Sequence, residues 1–364
     1  MIYILLLIIV VRLAYINNRL TSRTRKCFLV FLGLFMILLM GLRYRVGIDT
    51  LNYMTSYDSI PDIKDFFRTD FGTSRFEPGY TLLCAVCRTI TPDFWLLQLV
   101  HSFILTTCFF IFIYRNTNNP FIGIGVYIIL CWLYFNTEII RESLAISLFL
   151  LNYKNLKTSK WGRYIILSCA SICFHYSAII TLFFPFVRYL RVNLLYVMAC
   201  VAILGVTPYL ESLNQMISIV SIADRVGEHL GSATEYNMNW RIANMIRYTI
   251  VPLVALVVYR RFRIKSEFTP YILLSILFGV GAFAVPIIFS RLANYTLPFV
   301  IVYVANLLES LSYRTIIKHS LLVLLLSSQM IYYSEMFYAW FPYESIFSGR
   351  TVEKREALWY NYFG

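Results

Sequence analysis

The sequence is poor in charge, and poorest in acidic residues. Only 14% of its 364 residues are charged, against 59% that are hydrophobic, and 19 Asp and Glu stand against 32 Lys and Arg. Apolar runs of about twenty residues recur along the chain, which is the length that a helix needs to cross a bilayer. The composition excludes a soluble protein. It predicts a single all-α integral membrane domain over residues 1–364, a polytopic transmembrane helical bundle of about ten spans with re-entrant or interfacial helices.

Residue types that hold metal ions are also scarce. The chain has four His, and its eight Cys lie mostly inside apolar runs. Cys84 and Cys87 form the one C-x-x-C, with no second pair and no nearby His, so a zinc site is not expected. No D-x-D motif stands on the predicted external face, because Asp62 and Asp65 have a different spacing. The sequence predicts neither a metal site nor a cofactor.

The positive charges lie in short clusters between apolar runs, at Arg19–Lys26, Lys154–Arg163, Arg260–Lys265 and Arg314–Lys318. Loops with an excess of Lys and Arg face the cytoplasm in multi-pass membrane proteins. A net charge of +13 would also suit a nucleic-acid partner, but no arginine-rich arm or stacking platform accompanies it. The distribution therefore predicts membrane topology rather than nucleic-acid binding.

The first quarter of the chain is predicted to end outside. The run Met1–Ile16 has no positive region before it and no cleavage site after it, which predicts a retained span. The run Cys27–Leu42 returns to the outside, and residues 43–93 then form an external loop. Within that loop, the apolar stretch Tyr80–Ile90 is too short to span, so we expect an interfacial or re-entrant helix.

The later apolar runs are Phe94–Tyr114, Phe121–Phe135, Ile139–Tyr153, Val192–Leu210, Ile242–Tyr259, Pro270–Phe289, Leu292–Leu308 and His319–Ala339. One more run, Tyr164–Val187, has basic clusters at both ends, which conflicts with a single crossing. Either Arg188 and Arg191 lie outside, or the run dips in as two half-helices with His175 near the turn. We favour the second, since non-helical backbone at membrane depth is tolerated where it lines a cavity.

This topology gathers polar residues on the external side. It leaves residues 211–240 as an external loop and residues 340–364 as an external tail. The ionisable residues assigned to this side include Arg43, Arg45, Asp49, Glu77, Arg141, Glu142 and Arg291. Ionisable residues at membrane depth are costly and are functional candidates by default. The sequence therefore predicts a site at the outer face.

Four of these residues are arginines: Arg43, Arg45, Arg141 and Arg291. Guanidinium groups bind phosphate oxygens in a bidentate manner, so they suit a lipid-linked diphosphate at the membrane surface. Interfacial anchoring is the alternative for Arg43, Arg45 and Arg291. For Arg141, the alternative is an ion pair with Glu138 or Glu142.

The candidate acids and bases are Asp49, Glu77 and His175. Asp49 could accept a proton from a hydroxyl or orient a sugar, or it could pair with Arg45. Glu77 precedes a Pro-Gly pair and could bind a sugar hydroxyl or cap the short helix that follows. His175, inside an apolar run, could be a general base, a donor to phosphate, or a hydrogen-bonded structural residue.

Five motifs occur in order along the chain: GLRYRVGIDTLNY at Gly41–Tyr53, RFEPGY at Arg75–Tyr80, RESLAIS at Arg141–Ser147, FHYSA at Phe174–Ala178 and SRLANY at Ser290–Tyr295. In this order they resemble the signatures of the EpsG family, which groups with Wzy-type O-antigen and capsule repeat-unit polymerases. The sequence departs from that pattern at Ile48, where small polar residues are common, and at Glu142, where Gln is expected.

The resemblance implies a metal-independent glycosyltransferase of GT-C-like architecture in the bacterial inner membrane. It would transfer a glycan from undecaprenyl diphosphate to the non-reducing end of another lipid-linked repeat unit, at the periplasmic or outer face. The product would be O-antigen, capsule or exopolysaccharide. Donor and acceptor oligosaccharides on undecaprenyl diphosphate, membrane lipid and a chain-length regulator are the implied partners.

Such a reaction needs cationic stabilisation of the leaving diphosphate and one base for the acceptor hydroxyl. The four arginines are predicted to bind the diphosphate, and either His175 or Asp49 is predicted to be the base. Glu77, Tyr53 and Tyr295 are predicted to bind sugar.

Three other activities compete with this interpretation. An O-antigen ligase shares the chemistry and differs only in its acceptor. A lipid-linked oligosaccharide flippase should carry arginines along a lumen that reaches both faces, rather than gathered on one. A membrane O-acyltransferase should have a polar cytoplasmic site to admit acyl-coenzyme A, and the sequence offers none.

Overall fold

The structure, a computed structural model, describes residues 2–68, 76–206, 238–311, 316–334 and 337–348. The regular secondary structure of these residues is helical, which confirms the predicted all-α class for the described part of the chain.

The chain divides into two compact units. One consists of Met1–Leu182 with Met336–Gly364, and the other of Phe183–Glu335.

The described helices of the first unit, before its C-terminal segment, are α1 (Ile2–Ile16), α2 (Ser22–Gly41), α3 (Thr50–Asp58), α4 (Pro78–Ile90), α5 (Trp95–Asn116), α6 (Pro120–Thr137), α7 (Ile140–Lys157) and α8 (Trp161–Ile172). The bounds of α1, α4, α5, α6 and α7 lie within a few residues of the predicted apolar runs, whereas α2 begins five residues earlier, in the basic cluster. No apolar run was predicted for α3, and α8 ends well before the predicted end at Val187. The short helix α4 has 13 residues, too few to span a bilayer, as predicted.

Local signals set where these helices begin. The Thr21 side chain accepts a hydrogen bond from the Thr24 amide at 3.2 Å and caps α2. Asn119 caps α6 by accepting from the amides of Phe121 and Ile122. Proline occupies the first turn of both α4 and α6, where a missing amide hydrogen costs nothing. The proline of α4 and the Asn119 cap and proline of α6 explain why these two helices begin abruptly after loops.

The end of α2 packs directly on α5. A Cβ atom at Gly41 would lie 2.6 Å from the Leu99 side chain and 2.8 Å from the Leu99 Cα, so only glycine permits this approach. The contact fixes the place where α2 ends, and the Arg43 motif begins directly after it.

The run Tyr164–Val187 is broken in the middle. Helix α8 ends at Ile172, and a 3-10 helix, Tyr176–Phe183, follows after a break that contains His175. The predicted division into two short helices with His175 near the turn is therefore confirmed. That the pair forms a re-entrant loop stays a prediction.

The described helices of the second unit are α9 (Phe184–Val187), α10 (Leu194–Val206), α11 (Met238–Arg261), α12 (Thr269–Ala284), α13 (Pro286–Asn294), α14 (Leu297–Ser310) and α15 (Ile316–Ser334). The predicted run Pro270–Phe289 is wrong at its end, because Pro286 starts a new helix. The predicted turn at Ser290 and Arg291 is also wrong, since both residues lie inside α13. A bend of 53° separates α13 from α14 instead.

Five described helices are long and apolar enough to cross a membrane: α1 with its 3-10 extension to Arg19, α2, α5, α6 and α11. The bent pair of α13 and α14 gives a sixth if it forms one span. These helices are compatible with a multi-pass membrane protein. The count of about ten spans and the GT-C-like architecture stay predictions.

The beginning of the predicted external tail packs on the first unit. After a short helix, α16 (Phe337–Trp340), the indole of Trp340 donates to Thr137 Oγ1 at 3.2 Å and the Tyr343 hydroxyl donates to the Leu39 carbonyl at 2.8 Å. The chain from Ala339 to Ile346 also hydrogen-bonds the backbone that follows α2. Residues 349–364 of the tail and most of the predicted loop 211–240 lie outside the described residues.

Candidate active site

A buried carboxylate lies at the centre of the candidate site. Glu77 is 2% exposed and occupies the extended position directly before α4. Its Oε2 accepts from Arg141 Nη1 at 2.6 Å, and its Oε1 lies 2.7 Å from His175 Nδ1. Three of the five sequence motifs thus meet at one side chain.

The start of α4 docks on the break after α8. The Gly79 amide donates to the Cys173 carbonyl at 2.8 Å, and a Cβ atom at Gly79 would lie 2.8 Å from the same oxygen. Glycine is needed for this approach, and Pro78 starts the helix in the first-turn position. The Glu-Pro-Gly sequence therefore presents the carboxylate to His175, two residues after Cys173.

Arg141 enters the site from the first turn of α7. Its guanidinium lies 4.8 Å from the centre of the Phe76 ring, and 19% of its side chain is exposed. A cation over an aromatic face is attracted by the ring quadrupole. Ring and carboxylate together hold Arg141 in place while part of the side chain stays accessible.

Tyr53, from the first motif, borders the same cluster. Its hydroxyl donates to the Glu138 carbonyl at 3.2 Å, and its ring lies edge-on to Tyr80 with centroids 6.3 Å apart. Four of the five motifs therefore contribute to this part of the first unit.

The carboxylate of Glu77 is held in its ionised form. Burial alone would raise the pKa of Glu77, but the hydrogen bond from His175 and the charge of Arg141 outweigh burial and lower the pKa to about 2. An ionised carboxylate only accepts hydrogen bonds, so His175 Nδ1 is the donor.

This hydrogen bond defines the chemistry of the other ring nitrogen. With Nδ1 protonated, His175 Nε2 is the basic nitrogen of the neutral ring. It lies 3.8 Å from Glu142 Oε2, which is beyond hydrogen-bond distance but close enough for an ion pair if the ring gains a proton. The arrangement can take up a proton at Nε2 and stabilise the resulting imidazolium between two carboxylates.

The structure places Arg43 inside the first unit. Its side chain is fully buried, and Nη2 donates to the Asn136 carbonyl at 2.6 Å while Nη1 donates to the Met40 carbonyl. The guanidinium thus fastens the end of α2 to α6. The predicted diphosphate contact stays a prediction, and it would require Arg43 to exchange carbonyl partners for phosphate.

Two neighbours of Arg43 are partly buried. Arg45 adopts a left-handed backbone conformation, with φ of 48°, and its guanidinium lies 5.4 Å from the centre of the Tyr44 ring. Asp49 precedes α3 in the helix-cap position, without a capping hydrogen bond from its side chain. Their predicted roles in diphosphate binding and catalysis stay predictions.

Arg291 and Tyr295 belong to the second unit. Arg291 lies in the last turn of α13 and is partly buried, whereas Tyr295 ends that helix and is fully buried. The adjacent Asn294 accepts a hydrogen bond from the Tyr248 hydroxyl at 2.6 Å. The SRLANY motif therefore forms part of the packing of the second unit, and its ligand roles stay predictions.

Two ionisable residues received no role from the sequence. Glu142 was predicted to lie at the outer face and considered as an ion-pair partner of Arg141, but it received no catalytic role, and the structure sets it beside His175. Arg247 lies in a π-helical turn of α11, fully buried, with its guanidinium 4.7 Å from the centre of the Tyr332 ring. An arginine in the middle of an apolar run was the available signal for Arg247.

Among the described residues, no three His, Cys, Asp or Glu side chains are placed to hold a metal ion. Metal-independent transfer stays a prediction.

Comparison with known families gives one match. The model of the EpsG family matches residues 26–345, a stretch that contains all five motifs. No curated protein and no solved structure matches the chain.

Proposed function

Because this chain belongs to the EpsG family, which includes Wzy-type polymerase-like glycosyltransferases, we propose that it polymerises lipid-linked oligosaccharide repeat units in the bacterial inner membrane. The family membership suggests a membrane polysaccharide polymerase-like function. The donor is a glycan on undecaprenyl diphosphate, and the acceptor is the non-reducing end of another lipid-linked repeat unit.

The observation that carries this proposal is the chain of contacts from Arg141 through Glu77 to His175. It joins a cation, an orienting carboxylate and a base, which are the groups that transfer from a diphosphate carrier to a hydroxyl requires. Those residues come from three motifs that are distant in sequence.

His175 acts as the general base in this proposal. Its Nε2 takes the proton of the acceptor hydroxyl as the oxygen attacks the anomeric carbon of the donor. The new carbon–oxygen bond forms as the bond from the anomeric carbon to the diphosphate oxygen breaks, and the electron pair of that bond leaves with the diphosphate. Glu77 keeps Nδ1 protonated and stabilises the imidazolium that results.

Arg141 stabilises the leaving group. A guanidinium has five N–H donors, and Glu77 accepts from one at Nη1. The accessible part of the Arg141 side chain is therefore suited to contact a phosphate oxygen while the ion pair persists. Arg45 is proposed as a further diphosphate ligand and Tyr53 as a sugar contact. The ligand roles predicted from the sequence for Arg291 and Tyr295 stay predictions.

The structure changes how we assign Glu77 and Arg43. Both oxygens of Glu77 are engaged by protein partners, so we propose that it positions His175 and Arg141 rather than binding sugar directly. Two backbone carbonyls engage Arg43, so we propose that it supports the site by holding α2 to α6.

The polymerase proposal is tested in a strain that lacks this gene. Polysaccharide length on a gel and the lipid-linked pool are measured together. We expect single repeat units on carrier or on core and no ladder of longer chains. A full ladder left on the lipid carrier would contradict polymerase activity and indicate a ligase, and unjoined units retained on the cytoplasmic side would indicate a flippase.

The base is identified by complementing the same strain. We expect wild-type protein and Asp49→Asn to restore the ladder, and His175→Ala to leave it absent at an equal protein level. A ladder restored by His175→Ala but lost in Asp49→Asn would instead make Asp49 the base.

A further inference from the structure

Several cations of the first unit lie at one end of its helix bundle. Gly41 contacts Leu99 and Gly33 lies against Phe110, so α2 and α5 run antiparallel, and the start of α2 lies beside the end of α5. His101 contacts Ser143 and Phe112 contacts Tyr153, so α5 and α7 run parallel and end together. This end carries Lys26, Arg115, Lys154 and Lys157, all exposed.

Two cavities open on this end, one on each side of Arg115. The first, of about 520 Å³, lies between α2 and α5 and is lined mainly by aliphatic and aromatic side chains, with Lys26, Tyr114 and Arg115 among them. The second, of about 370 Å³, lies between α5 and α7 and includes Arg115, Asn116, Lys154 and Lys157 beside the apolar Leu150 and Leu151. Arg115 lines both cavities. Each cavity therefore combines an apolar wall with Arg115 and at least one lysine.

No acidic residue of the neighbouring sequence offsets these cations. The sequence has no Asp or Glu in residues 1–48, 94–137 or 143–210, stretches that contain α1, α2, α5, α6 and α8 entirely. The acidic residue of α7, Glu142, is in its first turn, at the opposite end from Lys154. At about 1.5 Å per residue, Glu142 and Lys154 are about 18 Å apart along the axis of α7. No carboxylate of these helices therefore lies near the basic end.

From this arrangement we propose a binding site for an anionic phospholipid that carries two phosphate groups, of the cardiolipin type, in the leaflet that the basic loops face. Arg115 lies between the two phosphates, with Lys26 on one side and Lys154 and Lys157 on the other. Acyl chains lie along the apolar walls of the two cavities. Basic pockets between membrane helices bind such headgroups.

Two observations favour this lipid over the polyprenyl carrier. The site lies at the end of α7 opposite to Arg141, and thus away from the cluster around Glu77. It also offers two separate apolar walls, which suit several acyl chains rather than one polyprenyl chain. The proposal does not depend on the proposed function.

The test measures which phospholipids stay bound after purification of the full-length protein in mild detergent, by mass spectrometry of the extract. The site variant is Arg115→Gln, Lys154→Gln and Lys157→Gln together. The matched control removes the same charge from another basic loop, with Arg260→Gln, Arg261→Gln and Lys265→Gln, all exposed. We expect the site variant to retain about tenfold less cardiolipin and the control to retain as much as the wild type.

A second variant tests the cavity without changing the charge. Leu151→Trp should fill part of the cavity between α5 and α7, since Leu151 is 49% exposed and lines it. We expect added cardiolipin to raise the unfolding temperature of the wild type more than phosphatidylglycerol at equal phosphate, and the difference to shrink in Leu151→Trp.

Three results would overturn the proposal. They are equal cardiolipin retention by wild type and site variant, equal stabilisation of the wild type by the two lipids, and recovery of polyprenyl diphosphate in place of cardiolipin. The first would mean that cardiolipin binds elsewhere, the second that the basic end attracts anionic lipid generally, and the third that it holds the carrier.

Discussion

At the scale of single residues, Glu77 sets the state of both neighbours in the candidate site. Its carboxylate fixes the His175 tautomer and balances the Arg141 charge in a buried environment. Replacing the carboxylate with an amide keeps the shape but removes the charge. An amide can also donate, so the ring is no longer held with Nδ1 protonated.

We expect Glu77→Gln to lower the rate of polymerisation by about 100-fold or more, the usual contribution of a positioned acid or base. The rate is measured as polymer formed per unit of membrane protein. Glu344→Gln is the matched control, since Glu344 is a buried carboxylate in the same unit. An unchanged rate in Glu77→Gln would remove Glu77 from the mechanism.

The same residue predicts a pH dependence of stability. The folded state lowers the pKa of Glu77 from its ordinary value of 4.5 to about 2. A lowered pKa stabilises the folded protein above the unfolded pKa, and this stabilisation is lost as the pH falls from about 4.5 towards 2. The difference corresponds to about 3 kcal/mol.

We therefore expect wild type to unfold at a higher temperature than Glu77→Gln at neutral pH, measured in detergent. The gap between the two should narrow between about pH 5 and pH 2. A constant difference between the two unfolding temperatures over that pH range would contradict the lowered pKa of Glu77.

The sequence could identify most residues of the site but not their contacts. Glu77, Arg141 and His175 stand out as ionisable residues among apolar runs, which marks them as candidates. Their spacing carries no information on distance, because Glu77 and His175 are 98 positions apart and meet only after α4 docks on α8. The burial of Arg43 was equally hidden, since it depends on the segment after α16 packing over the end of α2.

At the scale of elements, the site depends on how the short helix α4 meets the break after α8. The two elements meet where the Gly79 amide donates a hydrogen bond to the Cys173 carbonyl, close to His175. A side chain at residue 79 would clash with that carbonyl oxygen. A methyl group there must push against a backbone carbonyl, which cannot move as a flexible side chain can. The chemistry therefore depends on a glycine that carries no functional group.

We expect Gly79→Ala to lower polymer formation and the unfolding temperature together, with a cost of about 1–3 kcal/mol from the displaced backbone. Gly162→Ala is the matched control, because no atom lies within 4 Å of a Cβ at this helical position. There, alanine should be neutral or stabilising. Equal behaviour of the two variants would contradict the docking of α4 on the break.

The apolar runs predicted which parts of the chain are helical, but they did not predict every break between helices. The break at His175 was predicted because basic clusters at both ends conflicted with one crossing. The break at Pro286 was missed because the run from Pro270 to Phe289 is apolar throughout and of ordinary span length. Hydropathy detects segments that suit the bilayer but is insensitive to a proline inside them.

At the scale of the whole molecule, the proposed mechanism requires the Glu77 site and the basic loops to face opposite sides of the membrane. Ser59 follows α3 in the loop that leads to Glu77, and Thr158 ends α7 in a basic loop; both are exposed. Positive loops are retained in the cytoplasm. A cysteine at either position can therefore report which side of the membrane its loop faces.

In a variant without native cysteines, we expect Ser59→Cys to react with a membrane-impermeant maleimide on intact spheroplasts. Thr158→Cys should react only after the membrane is opened. Labelling of Thr158→Cys from outside, with Ser59→Cys protected, would reverse the proposed orientation.

Repeat-unit joining can be measured directly with the lipid-linked repeat units that accumulate in the deletion strain. They are extracted, supplied to the purified protein in detergent, and the products are sized by mass spectrometry with released undecaprenyl diphosphate measured in parallel. We predict joined units of increasing length, one released carrier for each bond formed, and no joining by His175→Ala. Units left unjoined by the wild-type protein, or joined equally well by His175→Ala, would contradict the account.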